Sequence, residues 1–158
     1  MIRFYIALIS VLAFAACSDP TETPVVFREV KSTHPNGKPN QVQVYSTYDS
    51  TKVGAEEYYD NGTLKVKMPY LNDLREGETY TYYKDGKPWS LNTFKRDTLD
   101  GPYKTWHENG QLYWDGIYSR GLEKGVWTIY DDQGKVIKTI NFEEMPDSLK
   151  GNVNIPRL

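Results

Sequence analysis

Aromatic and polar positions recur along this chain with a period of 24 residues. Turn dipeptides stand at Asn36-Gly37, Asn61-Gly62, Asp85-Gly86, Asn109-Gly110 and Gln133-Gly134; the last four glycines are 24 residues apart and the first gap is 25. Eight residues after each glycine comes an aromatic: Tyr45, Tyr70, Phe94, Tyr118 and Phe142. Four residues before each of the later glycines comes another: Tyr58, Tyr82, Trp106 and Tyr130. A further glycine opens most units, at Gly54, Gly77, Gly101 and Gly125. Self-similarity at such a period marks a repeat architecture, in which each unit is one supersecondary element.

The unit is predicted to be a β-hairpin. Asn-Gly and Asp-Gly suit a type I′ turn, which needs positive φ at both central residues. The flanks are rich in Tyr, Trp, Val, Thr and Ile, which favour strands. No window sustains a 3.6-residue apolar period, so no substantial helix is expected in the domain. The second junction of each unit, as at residues 72–76 or 120–124, reads as a polar loop leading to the next hairpin. The expected fold is all-β: an elongated meander of antiparallel β-hairpins, about ten strands in a single twisted sheet. Regular pairing sorts the faces. One carries Leu64, Val66, Met68, Tyr70, Tyr83, Phe94, Leu112, Trp114, Tyr118, Trp127, Ile129, Ile140 and Phe142. The other carries Tyr58, Tyr82, Trp89, Trp106, Tyr113, Tyr130 and Ile137, mixed with Lys65, Lys67, Lys104 and Asp115. A bulge in any unit would move members between the two.

The run Gly101-Pro-Tyr-Lys-Thr-Trp-His-Glu-Asn-Gly-Gln-Leu112, followed by Gly116-Ile-Tyr118, resembles the MORN-variant repeat. Gly77-Glu-Thr-Tyr-Thr-Tyr-Tyr-Lys-Asp-Gly86 and Gly125-Val-Trp-Thr-Ile-Tyr-Asp-Asp-Gln-Gly134 are similar to the same pattern. The resemblance covers about residues 54–142, with a degenerate unit ahead at residues 34–45. It implies a stack of hairpins. Bacterial relatives with this short unit are often labelled antitoxins of the YwqK-like type, which adds toxin neutralisation to the functions to be weighed.

Ahead of the repeats, Arg3 precedes an apolar run from Phe4 to Ala16 that is too short to span a bilayer. A basic start, a short apolar stretch and small residues at its end mark a secretory signal. The exit Ala15-Ala16-Cys17 resembles a bacterial lipobox. The expected organisation is therefore a lipoprotein signal peptide at 1–16, a lipidated Cys17 with a polar tether through 25, a repeat domain at 26–142 and a tail at 143–158. Cys17 is the only cysteine, so no intramolecular disulfide is possible. Acyl chains on it would hold the protein to the cell envelope, on the periplasmic side or at the surface. The tail contains two prolines and has weak periodicity, which suits either a cover for the last sheet edge or a disordered end.

Charge narrows the partners. Nineteen basic residues face 21 acidic ones, spread evenly, and loss of Arg3 makes the balance more negative. Nucleic-acid binders concentrate a basic face, so none is expected. Catalytic candidates are few. His34 and His107 are the only histidines, and His107 shares a column with Tyr59, Tyr83 and Asp131, which reads as a strand position. No metal and no cofactor are expected: histidine and cysteine lack zinc-ligand spacing, and Asp60, Asp85, Asp131 and Asp132 sit where turns favour aspartate. The aromatic columns remain. Tyr58, Tyr82, Trp89, Trp106, Tyr113 and Tyr130 are either structural, giving buried area to a sheet with little conventional core, or a binding stripe. An envelope protein is the first expected partner, glycan the second, and a toxin met in the periplasm the third. The domain is expected to be non-enzymatic.

Overall fold

The computed structural model describes residues 25–150 and 153–156. The leader, Cys17 and the tether up to Pro24 lie outside the described residues. Eleven strands follow one another: β1 Val26–Thr33, β2 Pro39–Ser46, β3 Lys52–Tyr58, β4 Leu64–Leu71, β5 Leu74–Arg75, β6 Gly77–Tyr82, β7 Pro88–Lys95, β8 Thr98–Trp106, β9 Leu112–Ser119, β10 Leu122–Tyr130 and β11 Val136–Asn141. They form one open antiparallel meander in chain order, in which the two-residue β5 pairs with β4 just before β6 does. One short helix among the described residues, α1 Asp147–Lys150, follows. The expected all-β repeat sheet is what the chain forms.

The turns divide differently from the expectation. At Asn61-Gly62, the Gly62 amide donates to the Tyr59 carbonyl and the Tyr59 amide to the Thr63 carbonyl, each at 2.9 Å. Only Gly62 has positive φ there, at 92°. This is a three-residue loop, a type I turn closed by a left-handed glycine, and it recurs at Gly37, Gly86, Gly110 and Gly134. The two-residue turns with both central residues left-handed are instead the junctions read as loops. Asn72-Asp73 (φ 52° and 62°), Arg96-Asp97 (48° and 63°) and Arg120-Gly121 (50° and 82°) connect directly paired residues such as Leu71 and Leu74.

Each three-residue loop carries a bulge with it. Glu57 pairs with Val66 and Tyr58 with Leu64, leaving Lys65 as an extra residue. The same shift leaves Trp89 extra in β7, Tyr113 in β9 and Ile137 in β11. A second irregularity stands at the opening glycines. Asn92 pairs with Tyr103 but Phe94 with Leu99, so one residue of β7 opposes three of β8 around Gly101. Because that excess is even, the alternation of faces survives it.

The principal core lies on one face of β8–β11. Tyr103, Trp114, Tyr118, Trp127, Ile129, Ile140, Phe142 and Ile155 form a single cluster. Trp127 is fully buried and meets Tyr118 and Phe142 edge-on, with ring centroids 5.0 and 5.6 Å away. Its ring lies on Gly116, where a Cβ would stand 2.2 Å from it. The described part of the tail covers this face: Met145 and Val153 pack on the cluster, and the Tyr103 hydroxyl donates to the Pro156 carbonyl. Towards β6–β8 the same face buries small polar groups, Thr79, Thr81, Ser90, Asn92 and Thr105. The Thr81 and Ser90 hydroxyls bond at 2.6 Å, and Asn92 donates to Ser90 at 3.1 Å. In β2 and β3 burial changes sides: Val42 pairs with Glu56, and both are buried on the opposite face.

Candidate functional site

The aromatics at the ends of the first strands, Tyr58, Tyr82, Trp106 and Tyr130, are all half-buried. Their backbone carbonyls each receive a side chain from the preceding hairpin. His34 Nε2 lies 2.8 Å from the Tyr58 oxygen, the Tyr59 hydroxyl donates to Tyr82 at 2.9 Å, Tyr83 to Trp106 at 2.7 Å, and His107 Nε2 lies 3.0 Å from the Tyr130 oxygen. A carbonyl only accepts, so both histidines carry their proton on Nε2 in these bonds. His107 is thus a strut between hairpins, and its ring packs 4.5 Å from that of Tyr113.

A parallel ladder runs through the turn asparagines. The Asn36, Asn61 and Asn109 side-chain amides donate to the carbonyls of Asp60, Lys84 and Asp132. Lys38 and Lys87 reach the Asn61 and Glu108 carbonyls in the same direction. Of the turn aspartates, Asp60 joins this ladder while Asp131 closes its own loop. Asp60 pairs with Lys84 at 2.6 Å, and that bond draws its carboxyl below the usual range. Asp131 accepts from the Gln133 and Lys135 amides. Among the described residues no group of three histidine, cysteine, aspartate or glutamate side chains is placed to hold a metal.

The six candidate binding aromatics do not form one stripe. Tyr58 shares the opposite face with Glu56, to which its hydroxyl donates at 2.6 Å, and Tyr82 stacks along Tyr80, centroids 6.3 Å apart. Trp106 and Tyr130 follow the same alternation. Trp89 and Tyr113, assigned to that face by regular pairing, lie with core-face residues instead. Tyr113 packs against the core cluster and meets Trp114 edge-on at 6.0 Å. Trp89 lines a cavity with Val66 and Thr81. The cause is physical: each is the extra residue of a bulge, which breaks the alternation that the assignment assumed.

That cavity, of about 380 Å³, brings together two of the candidate aromatics, Tyr82 and Trp89. Val66, Met68 and Thr81 belong to its core-face lining, Tyr59 and Trp89 supply aromatic groups, Tyr82 borders it at the strand end, and Glu57, Lys65 and Arg75 supply charge. The charged groups are tied down. Lys65 pairs with Glu57 at 3.5 Å, and Arg75 binds Asp97 at 2.9 Å while lying over the Phe94 ring. The Asp97 carboxyl is lowered by the Arg75 backbone amide and then by its side chain. Sequence reasoning found Trp89 and Tyr82 but missed Tyr59 and Arg75. The 24-residue column that holds Tyr59 was visible, and the crossing of hairpins that brings Arg75 over Phe94 was not.

The pattern of the MORN repeat variant matches residues 55–72, 75–96, 99–113 and 123–144. The chain carries four MORN-variant repeats. Each match begins in or just before the first strand of a hairpin, and β1–β2 lies outside them. No curated protein matches the chain. MORN repeats are generally associated with protein or membrane binding and are typically non-catalytic.

Proposed function

We propose that this MORN-variant repeat protein is a non-enzymatic binding module of the cell envelope, carried there by lipid on Cys17, and that its partner is a protein. The observation that carries this reading is the cavity beside Trp89. Aromatic rings over an apolar floor with a charged rim suit an anchoring side chain of a partner, since interface energy concentrates in such pockets. The struts from Tyr59 to Tyr82 and from Tyr83 to Trp106 hold the walls of adjacent hairpins in place before binding, which lowers the ordering cost. Both histidines spend the Nε2 proton on a backbone carbonyl of the next hairpin, as struts of the scaffold. One observation also favours a sugar: a tryptophan and a tyrosine stand beside the Glu57 carboxylate and the Lys65 ammonium in one lining.

The test uses the full-length lipoprotein in intact envelopes, cross-linked and recovered by affinity, with wild type and Trp89→Ala compared in parallel. The expected result is a defined protein adduct that falls at least about tenfold in the variant, as loss of a central aromatic anchor implies. Equal recovery by a folded Trp89→Ala protein would remove the cavity from the proposal. Recovery that is competed by cell-wall oligosaccharide and survives protease treatment would replace the protein partner with glycan.

A further inference from the structure

The meander is open, and its two ends differ. At the far end β11 has one charged residue, Lys138, and no acid. At the near end β1 has the sequence Val-Phe-Arg-Glu-Val-Lys-Ser-Thr, and nothing among the described residues pairs with its outer edge. Val26, Phe27 and Val30 are 40%, 43% and 50% exposed there. A strand edge with apolar side chains and free main-chain groups is a template for another strand.

The backbone restricts what can dock. The Thr47 amide donates to the Val25 carbonyl at 3.0 Å. Antiparallel alternation then puts Phe27 and Glu29 in hydrogen-bonded pairs with Tyr45 and Gln43 and turns the amides and carbonyls of Val26, Arg28 and Val30 outward. A second β1 running antiparallel can engage these outward groups in registers centred on residues 26 to 30. Those on Val26 and Phe27 overlap the two strands by three residues or fewer, which leaves Arg28, Glu29 and Val30 in turn. The first sets Arg28 against Arg28 and the second Glu29 against Glu29, and like charges directly opposite destabilise a sheet pair. The third sets Val30 against Val30 and places Glu29 of each copy opposite Lys31 of the other. Glu29 and Lys31 already pair within one strand at 3.1 Å and remain about half exposed, so the third register builds an alternating square of four charges. The other edge has no such option, because Lys138 has no acid in its own strand to face.

We infer that the protein forms a two-fold dimer through β1, in the Val30-centred register, joining two meanders into one continuous sheet. The contact is main-chain addition with side-chain complementarity as the selector. It leaves the Trp89 cavity free in both copies and presents that site twice.

The experiment is a mass measurement by light scattering on the whole chain in detergent, with the detergent contribution subtracted. Wild type, Glu29→Lys, Lys31→Glu and the double reversal Glu29→Lys/Lys31→Glu are compared, and circular dichroism verifies each fold. The expected series is dimer, monomer, monomer, dimer, because each single reversal opposes like charges and the double restores attraction. A monomeric wild type overturns the inference, as does a dimer that survives both single reversals. A double variant that stays monomeric overturns the Val30-centred register.

Discussion

Tyr58 shows how a residue in an apparent binding column acquires a structural duty. Its hydroxyl donates to Glu56 Oε2, while Arg28 Nη2 holds the other carboxylate oxygen at 3.1 Å. The three side chains join β1 to β3 across β2, and Glu56 is buried beneath them. Burial and then the bond and charge of Glu56 push the Tyr58 phenol up to about 12 from an ordinary value of 10.0. The folded state therefore favours the protonated phenol. The stabilisation this gives is complete below about pH 10, where the unfolded phenol titrates, and is lost as pH rises towards about 12. Tyr58→Phe has no phenol to ionise. Its urea midpoint is expected to fall less steeply than that of wild type between those pH values, when unfolding is followed by circular dichroism. Parallel slopes would place the ionisation of Tyr58 outside the stability balance.

The hairpin is the element whose presence could be read directly from the chain, and its turn chemistry is where that reading went astray. Asn-Gly was assigned to a two-residue turn because it is the strongest short signal for one. Here the same dipeptide closes a three-residue loop, and the bulge that follows sends Trp89 and Tyr113 to the core face. Asn-Gly is compatible with both geometries, so the choice falls to the ladder between neighbouring turns, which no single unit reveals. The true two-residue turns use Asn72-Asp73 and Arg96-Asp97, residues that read simply as polar. Two substitutions with opposite signs follow. Asp73 holds φ 62°, where an L-residue pays about 1 kcal/mol or more relative to glycine, so Asp73→Gly is expected to stabilise by up to about 1 kcal/mol. Gly62 at φ 92° has the reverse balance, and Gly62→Ala is expected to destabilise by about 1 kcal/mol or more. Urea denaturation of both variants checks the pair; a destabilised Asp73→Gly protein would contradict the turn assignment. The core followed the same division. Tyr118 and Phe142 were legible from their column and Trp114 and Trp127 from strand alternation, whereas buried Thr79, Ser90 and Thr105 have the composition of a surface. Register places them on the face of Tyr103, through the Thr79–Asn92, Ser90–Thr105 and Asn92–Tyr103 pairs.

At the scale of the whole molecule, stability is distributed unevenly along a nearly one-dimensional stack. In such a protein each unit contacts mainly its neighbours, so interfaces add locally. The aromatic cluster belongs to β8–β11 and the tail, while β6–β7 bury Leu91, Phe94 and small polar groups, and the side chains buried in β1–β3 are those of Val42, Val44 and Glu56. Opposing this gradient is the ladder of struts from His34, Tyr59, Tyr83 and His107, which ends at Asp131, a side chain that turns back onto its own loop. Hydrogen exchange decides between them, because sub-global opening reports local burial and cooperative unfolding reports coupling. The measurement belongs on Lys31→Glu, so that the β1 edge is free of a second copy. If burial dominates, amides of β9 and β10 exchange last, those of β1 and β2 first, and protection falls hairpin by hairpin between them. We expect that order, since each strut contributes about 1 kcal/mol as a single hydrogen bond, while burying one ring of the Trp127 cluster contributes about 2–3 kcal/mol. A single exchange level from β2 to β11 would reverse the conclusion and make the ladder the element that turns separate hairpins into one cooperative fold.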